Sequence, residues 1–119
     1  PADLKVPVIG EFRRILQIVL NLVGNAIRYA PDGSMVTVSI NPQSSSLSVS
    51  DQGQGIKAED RQRVFEKFER LGRSGDGGSG LGLYISRRLA RAMHGELVVG
   101  ESPEGGAMFT LSLPKANLI

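Results

Sequence analysis

Cysteine and tryptophan are absent from this chain, and histidine occurs once, at position 94. Without cysteine there is no disulfide framework and no thiol-based site, and the sequence says nothing about redox compartment. No apolar run approaches the roughly 18 residues that a membrane-spanning helix needs, and nothing reads as a signal peptide. Neither sign of charge dominates: 14 Lys and Arg face 12 Asp and Glu. The sequence pI of about 9.3 therefore reflects a surplus of only two charges, not a nucleic-acid-binding surface. The 119 residues are enough for one domain with its own core. The chain starts at Pro1, not Met, and is expected to be a soluble domain of something longer.

Periodicity organises what is present. Leu4–Ile9 reads as a short extended segment, with Pro7 suited to an edge strand. Glu11–Tyr29 reads as a long helix in which Phe12, Leu16, Val19, Leu20, Val23 and Ile27 recur as one buried stripe. Pro31–Ser34 ends it. Met35–Ile40 is expected as a strand with Val36, Val38 and Ile40 on one face, and Asn41–Ser46 as a polar turn. Leu47–Ser50 alternates apolar and small polar residues, as a half-buried strand does. Glu59 and Asp60 begin a short helical stretch reaching Phe65 or Phe68. Leu71–Gly80 has too little apolar surface to anchor it and reads as a mobile loop. Leu81–Met93 is a second helix, stopped by Gly95, and the strands Glu96–Gly100 and Ala107–Leu113 close the chain around a turn at Pro103–Gly106. The expected fold is a two-layer α/β domain: a mixed, largely antiparallel sheet with helices on one face.

Three stretches carry chemistry. Asp51 shares parity with Leu47 and Val49, so the pleat turns its carboxylate toward the apolar side. Gly53 and Gly55 follow, allowing a sharp turn and the close approach of a flat ligand. A lone acceptor there suits an exocyclic amine such as adenine's, while the plainer alternative is an Asp51 that caps a neighbouring backbone. Asn21, Asn25 and Arg28 lie along one side of the first helix. Asparagine is a poor helix-interior residue, so two at this spacing point either to a solvated edge or to oxygen ligation of Mg²⁺ beside phosphates. Arg28 could then neutralise phosphate and Tyr29 lie against a base. Third, Gly78–Gly82 places backbone amides at a helix start, where an anion can sit, with Arg70 and Arg73 nearby in sequence.

Taken in order, these pieces resemble the catalytic, ATP-binding domain of sensor histidine kinases, within the superfamily of gyrase, Hsp90 and MutL. Asn21–Tyr29 is similar to that family's N box, Asp51–Gly55 to its G1 box, Val64–Arg70 to its F box and Gly78–Leu83 to its G2 box. The tail from His94 through Pro114 is similar to its closing strands. The resemblance implies a Bergerat-type sandwich with a mobile ATP lid. It implies that Asp51 binds the adenine amine, with Gly53, Gly55 and Ile56 around it, and that Asn25 coordinates Mg²⁺. Asn21, Arg28 and Tyr29 would line the nucleotide. Arg70, Ser79, Gly80, Leu81, Gly82 and Leu83 would close over the phosphate tail, and Phe65 and Phe68 would anchor the lid. Implied partners are a dimerisation domain carrying the phosphoacceptor, absent here, and a response regulator. No nucleic acid or membrane contact is implied. The isolated chain is expected to be monomeric and cytoplasmic, whether or not its parent is anchored in the inner membrane.

The superfamily's ATPases carry a general-base glutamate where this chain has Asn21, and an amide cannot accept a proton near neutral pH. Transfer to a nucleophile from another domain is therefore expected, rather than hydrolysis. A degenerate, non-catalytic docking module is the alternative, with an ATPase of the same superfamily behind it. Gly53–Ala58 and Gly75–Gly80 fit a dinucleotide-fold pattern, but the chain ends in a hairpin where a parallel repeat should continue. No P-loop and no eukaryotic-type kinase motif set is present. His94 sits at a helix end beside Gly95 and reads as structural.

Overall fold

The computed structural model describes residues 11–67, 81–103 and 105–115. The expected Leu4–Ile9 strand and the Leu71–Gly80 loop lie outside them, as do Phe68, Arg70, Arg73, Ser79 and Gly80. Element order is α1 (Phe12–Tyr29), β1 (Thr37–Asn41), β2 (Ser46–Ser50), 3-10 turns at Ala58–Asp60 and Arg63–Phe65, α2 (Gly82–Ala92), β3 (Glu96–Glu101) and β4 (Ala107–Ser112).

Strand alternation sorts the sheet into two faces. The described strands run in the order β1-β2-β4-β3, and each neighbouring pair is antiparallel. Register stacks Val49 beside Phe109 and Leu47 beside Leu111, with Val99 and Leu97 completing the rows from β3. These side chains form the apolar face, and Leu97, Leu111, Val49 and Phe109 are almost fully buried beneath the helices. Between them alternate Ser48 and Thr110, whose hydroxyls bond each other across the opposite face at 2.9 Å. One covered face and one polar face is what an antiparallel sheet in a two-layer domain requires. β1 is exposed along its length, including Val38 and Ile40.

The helices pack on the apolar face, and here one expectation fails. α1 buries Ile18, Leu22 and Ala26, with Ile15 and Val23 against the core. Of the expected stripe, Phe12 (77%), Leu16, Leu20 and Ile27 (66%) are exposed, and only Val19 and Val23 are half-buried. The two rows lie roughly 120° apart around the helix. Both have helical period, but α2 and β2 contact the Ile18–Leu22 side. The helical stretch after Glu59 is likewise two separate 3-10 turns, held down by Val64 and Phe65. Phe65 meets Phe109 edge-on at 6.0 Å between ring centres.

The end of α2 differs from expectation too. The left-handed residue is His94 (φ 64°), not Gly95. The Gly95 N–H donates to the Ala90 carbonyl at 2.9 Å, and the His94 N–H to the Arg91 carbonyl at 3.0 Å. This is the Schellman arrangement, which satisfies the Ala90 and Arg91 carbonyls with backbone donors. Glycine is needed at 95 for a different reason: a Cβ there would lie 2.2 Å from the Ser112 carbonyl oxygen and 2.9 Å from Leu113 Cδ2. Beside it, Glu96 ties β3 to α2 by accepting from Arg87 Nε (3.3 Å) and Arg91 Nε (3.1 Å). Burial pushes the Glu96 carboxyl up. Hydrogen bonds from Arg91, the Leu97 amide and Arg87 outweigh that, so its pKa ends below the ordinary value. The tie therefore contributes above the ordinary carboxylate pKa and weakens as pH falls through the lowered one.

Gly95→Ala should lower stability by about 1–3 kcal/mol in urea unfolding, because the strand carbonyl has no room to yield. His94→Gly should stay within about 1 kcal/mol of the parent, since glycine relieves a left-handed residue but frees the unfolded chain. A Gly95→Ala protein as stable as the parent would contradict this packing.

Candidate functional site

The strand pattern places Asp51 directly beyond β2, where it remains 93% buried, and Val49 before it is as deeply placed. Pairing with β4 ends at Ser50 and Met108. Past that point the Asp51 N–H still donates to the Ala107 carbonyl, at 3.0 Å. The Ala107 N–H turns to the Asp51 side chain instead, donating to Oδ1 at 3.1 Å. The Gly53 N–H donates to the same oxygen at 2.8 Å. Oδ1 is thus satisfied twice by backbone, while Oδ2 accepts no hydrogen bond among the described residues. The backbone-capping reading of Asp51 describes Oδ1.

Glycines make this geometry possible. A Cβ on Gly106 would lie 2.1 Å from the Asp51 carbonyl oxygen and 2.5 Å from Oδ1. One on Gly53 would lie 3.1 Å from Oδ1 and 3.1 Å from the Tyr29 carbonyl oxygen. Gly55 turns the chain at φ 74°. Ile56 then drops into the core beside Val64 and Phe65. The loop after Asp51 therefore presses against the C-terminal end of α1, where Tyr29 sits.

At the other end of the same helical edge, α2 begins. Asn21 Nδ2 donates to Ser86 Oγ at 3.0 Å and approaches the Gly82 carbonyl oxygen at 3.4 Å. Leu81 and Leu83 flank Gly82 and are half-buried, with Leu83 against the core. The α1 edge from Asn21 to Tyr29, about 12 Å at helical rise, is thus bracketed by the start of α2 and by the Asp51 loop. Between them lie Asn25, half-buried, and Arg28, exposed, neither side chain with a hydrogen bond among the described residues. A planar donor at Oδ2 and an anion with its counter-cation along the Asn25–Arg28 edge would both find complementary groups.

Three contributors were not singled out from sequence: Gly106, the Ala107 amide and Ser86. The Gly105–Gly106 pair before a strand was a signal of close backbone approach. Ser86, a hydroxyl at a core-facing helical position, was a signal of a buried hydrogen bond. A separate cleft of about 160 Å³ lies between Phe65, Tyr84, Arg87, Arg88 and Arg91. Its cations are already engaged: Arg87 and Arg91 with Glu96, and Arg88 with the Tyr84 hydroxyl at 3.1 Å. That Arg88 hydrogen bond holds the Tyr84 hydroxyl below its ordinary pKa. Among the described residues no group of three or more His, Cys, Asp or Glu could hold a metal, and no helix is long and apolar enough to cross a membrane.

Residues 10–117 match the family model described as histidine kinase-, DNA gyrase B-, and HSP90-like ATPase. The adaptive-response sensory kinase SasA of Nostoc is 37% identical over 96% of this chain, which covers 29% of that protein. The sensor-like histidine kinase SenX3 of Mycobacterium bovis is 40% identical over 96% of this chain, covering 28% of its length. The chain thus spans less than a third of these relatives. Among solved structures, the mycobacterial sensor histidine kinase MprB superposes with a TM-score of 0.81 at 32% identity, over 93% of this chain and 78% of that one. Full-length ShkA, solved in complex with AMPPNP, gives 0.68 at 36% identity over 88% of this chain and 22% of that one. These neighbours share the Bergerat-type fold, the two-layer sandwich seen here, and the chain belongs to the family of histidine kinase-, DNA gyrase B- and HSP90-like ATPases as a catalytic domain of the histidine-kinase kind.

Proposed function

We propose that this chain binds ATP with Mg²⁺ and presents it for phosphoryl transfer to a histidine on another domain of a two-component sensor kinase. The observation that carries the reading is the divided Asp51 carboxylate: Oδ1 is held by two backbone amides and Oδ2 is left as a nearly buried acceptor. An acceptor so placed is stabilised by a ligand N–H donor, and the exocyclic amine of adenine supplies one. Gly53, Gly55 and Ile56 would wall the base. Tyr29, at the end of α1, would border it.

The α1 edge fits the remainder of the nucleotide. The Asn25 amide, half-buried and unengaged among the described residues, is the oxygen donor suited to Mg²⁺, a cation that takes few protein ligands and completes its shell with phosphates and water. Bound Mg²⁺ would neutralise phosphate charge. Arg28 would add a second positive group, and the start of α2 at Leu81, Gly82 and Leu83 a positive helix end. Arg70, Ser79 and Gly80 are assigned to the phosphate tail, and Phe65 and Phe68 to anchoring the lid, on family resemblance. The domain's partner in the reaction is then a phosphoacceptor domain, with a response regulator downstream.

Isothermal titration of ATP into the parent and Asp51→Asn proteins tests the adenine contact. The variant presents a donor toward a donor, so affinity should fall about tenfold or more. Equal affinities would remove Asp51 from the site. A second prediction distinguishes kinase from ATPase. Asn21 cannot serve as a base, and phosphoryl transfer depends on placing a nucleophile in line with the γ-phosphate. The chain alone should release negligible phosphate from γ-labelled ATP and should not label itself. Labelling should appear when a histidine-bearing acceptor domain from the same kinase is added. Brisk release by the chain alone would return it to the ATPase branch.

A further inference from the structure

We infer that Ser86 is a positioning residue: with the Gly82 carbonyl selecting the nitrogen end, the Ser86 hydroxyl holds the Asn21 amide against α2, so that Asn21 offers an acceptor oxygen to a divalent cation or to its bound water. The inference rests on the ATP-binding reading above and adds to it a role for each residue.

Ser86 lies one turn into α2 and is fully buried. Its Oγ is 3.0 Å from Asn21 Nδ2. A hydroxyl can donate or accept, so this contact alone would permit either orientation of the amide. The second contact removes the choice. The Gly82 carbonyl oxygen, 3.4 Å from the same Asn21 atom, can only accept, so the atom facing α2 must be the nitrogen. Both hydrogens of that nitrogen are then directed at α2. The other limb of the planar amide, Oδ1, accepts nothing among the described residues and is the part left for the site. An oxygen acceptor beside a polyphosphate would be repelled by it. The same oxygen toward Mg²⁺, or toward a water that Mg²⁺ holds, is stabilised. Asn25 is one turn further along the same edge, so the two amides would serve one cation from neighbouring positions. Ser86 is fully buried and its bond to the half-buried Asn21 is partly shielded from water, so removing the hydroxyl leaves the amide free to rotate about its Cβ–Cγ bond with only the longer Gly82 contact to hold it.

The test is titration of ATP into four proteins, the parent, Ser86→Ala, Asn21→Ala and the double variant, each in Mg²⁺ and in EDTA. Ser86→Ala should weaken binding about three- to tenfold in Mg²⁺ and leave binding in EDTA unchanged. In the Asn21→Ala background, Ser86→Ala should cause no further loss, because the serine acts through the asparagine. An equal loss in EDTA would mean that Ser86 merely packs the helix, and a loss that persists without Asn21 would mean that it acts by another route. Either result overturns the inference, as does a Ser86→Ala protein that matches the parent. A parent protein that binds no ATP in either buffer overturns the ATP-binding reading together with it. If Ser86→Ala does not fold, nuclear magnetic resonance of the parent decides. The Asn21 side-chain amide protons should be protected from solvent exchange with and without Mg²⁺ and ATP, and fast exchange in both states overturns the inference.

Discussion

Everything distinctive about this domain depends on how one carboxylate is held. Asp51 stands where the β2–β4 ladder ends, and its Oδ1 replaces a strand carbonyl as acceptor for the Ala107 amide. A buried carboxylate with neither oxygen satisfied would be too costly to keep, and one with both satisfied would have nothing to offer a ligand. Two backbone donors on one oxygen resolve this conflict. They fix the orientation of the group and leave the second oxygen unengaged among the described residues. The same arrangement explains why glycine stands at 53 and 106, since a side chain at either would meet Oδ1 within 3.1 Å or less.

From that point the packing spreads in two directions. The loop beyond Asp51 rests on the Tyr29 end of α1, and Ile56 carries the chain back into the core. Asn21, at the other end of the same edge, is bonded to Ser86 and so joins α1 to the first turn of α2. The helices, both seated on the apolar face of the sheet, therefore hold the Asp51 and Asn21 ends of the candidate site in one packed frame. This is a preorganised arrangement of acceptors and amides rather than a set of catalytic acids and bases, as a domain that contributes charge stabilisation and no nucleophile would need.

The sequence made the four described strands, both helices and the Asp51 parity legible because each rests on a local period. The parity argument held because a two-residue period has only one buried side to choose. Helix α1 shows where this stops. Phe12, Leu16, Leu20 and Ile27 form a bulkier helical row than Ile18, Leu22 and Ala26, yet the smaller row is the one inside. Period alone ranks rows by hydrophobicity, while the choice is made by which side the sheet and α2 occupy. The end of α2 follows the same logic. Gly95 was expected to stop α2, but the left-handed turn falls on His94 and the glycine answers to the carbonyl of Ser112, on a strand distant in sequence. Gly106 and Ser86 were hidden for that reason too, since their roles exist only across long-range contacts.

The central claim is that Asp51 Oδ2 is an acceptor reserved for the 6-amino group of adenine. Comparing ATP with inosine triphosphate, which differs at that position by a carbonyl oxygen, tests it on the unaltered protein. Two acceptors would then face each other at a nearly buried position, so inosine triphosphate should bind about tenfold or more weakly than ATP in the same Mg²⁺ buffer. Equal affinity for the two nucleotides would contradict the account.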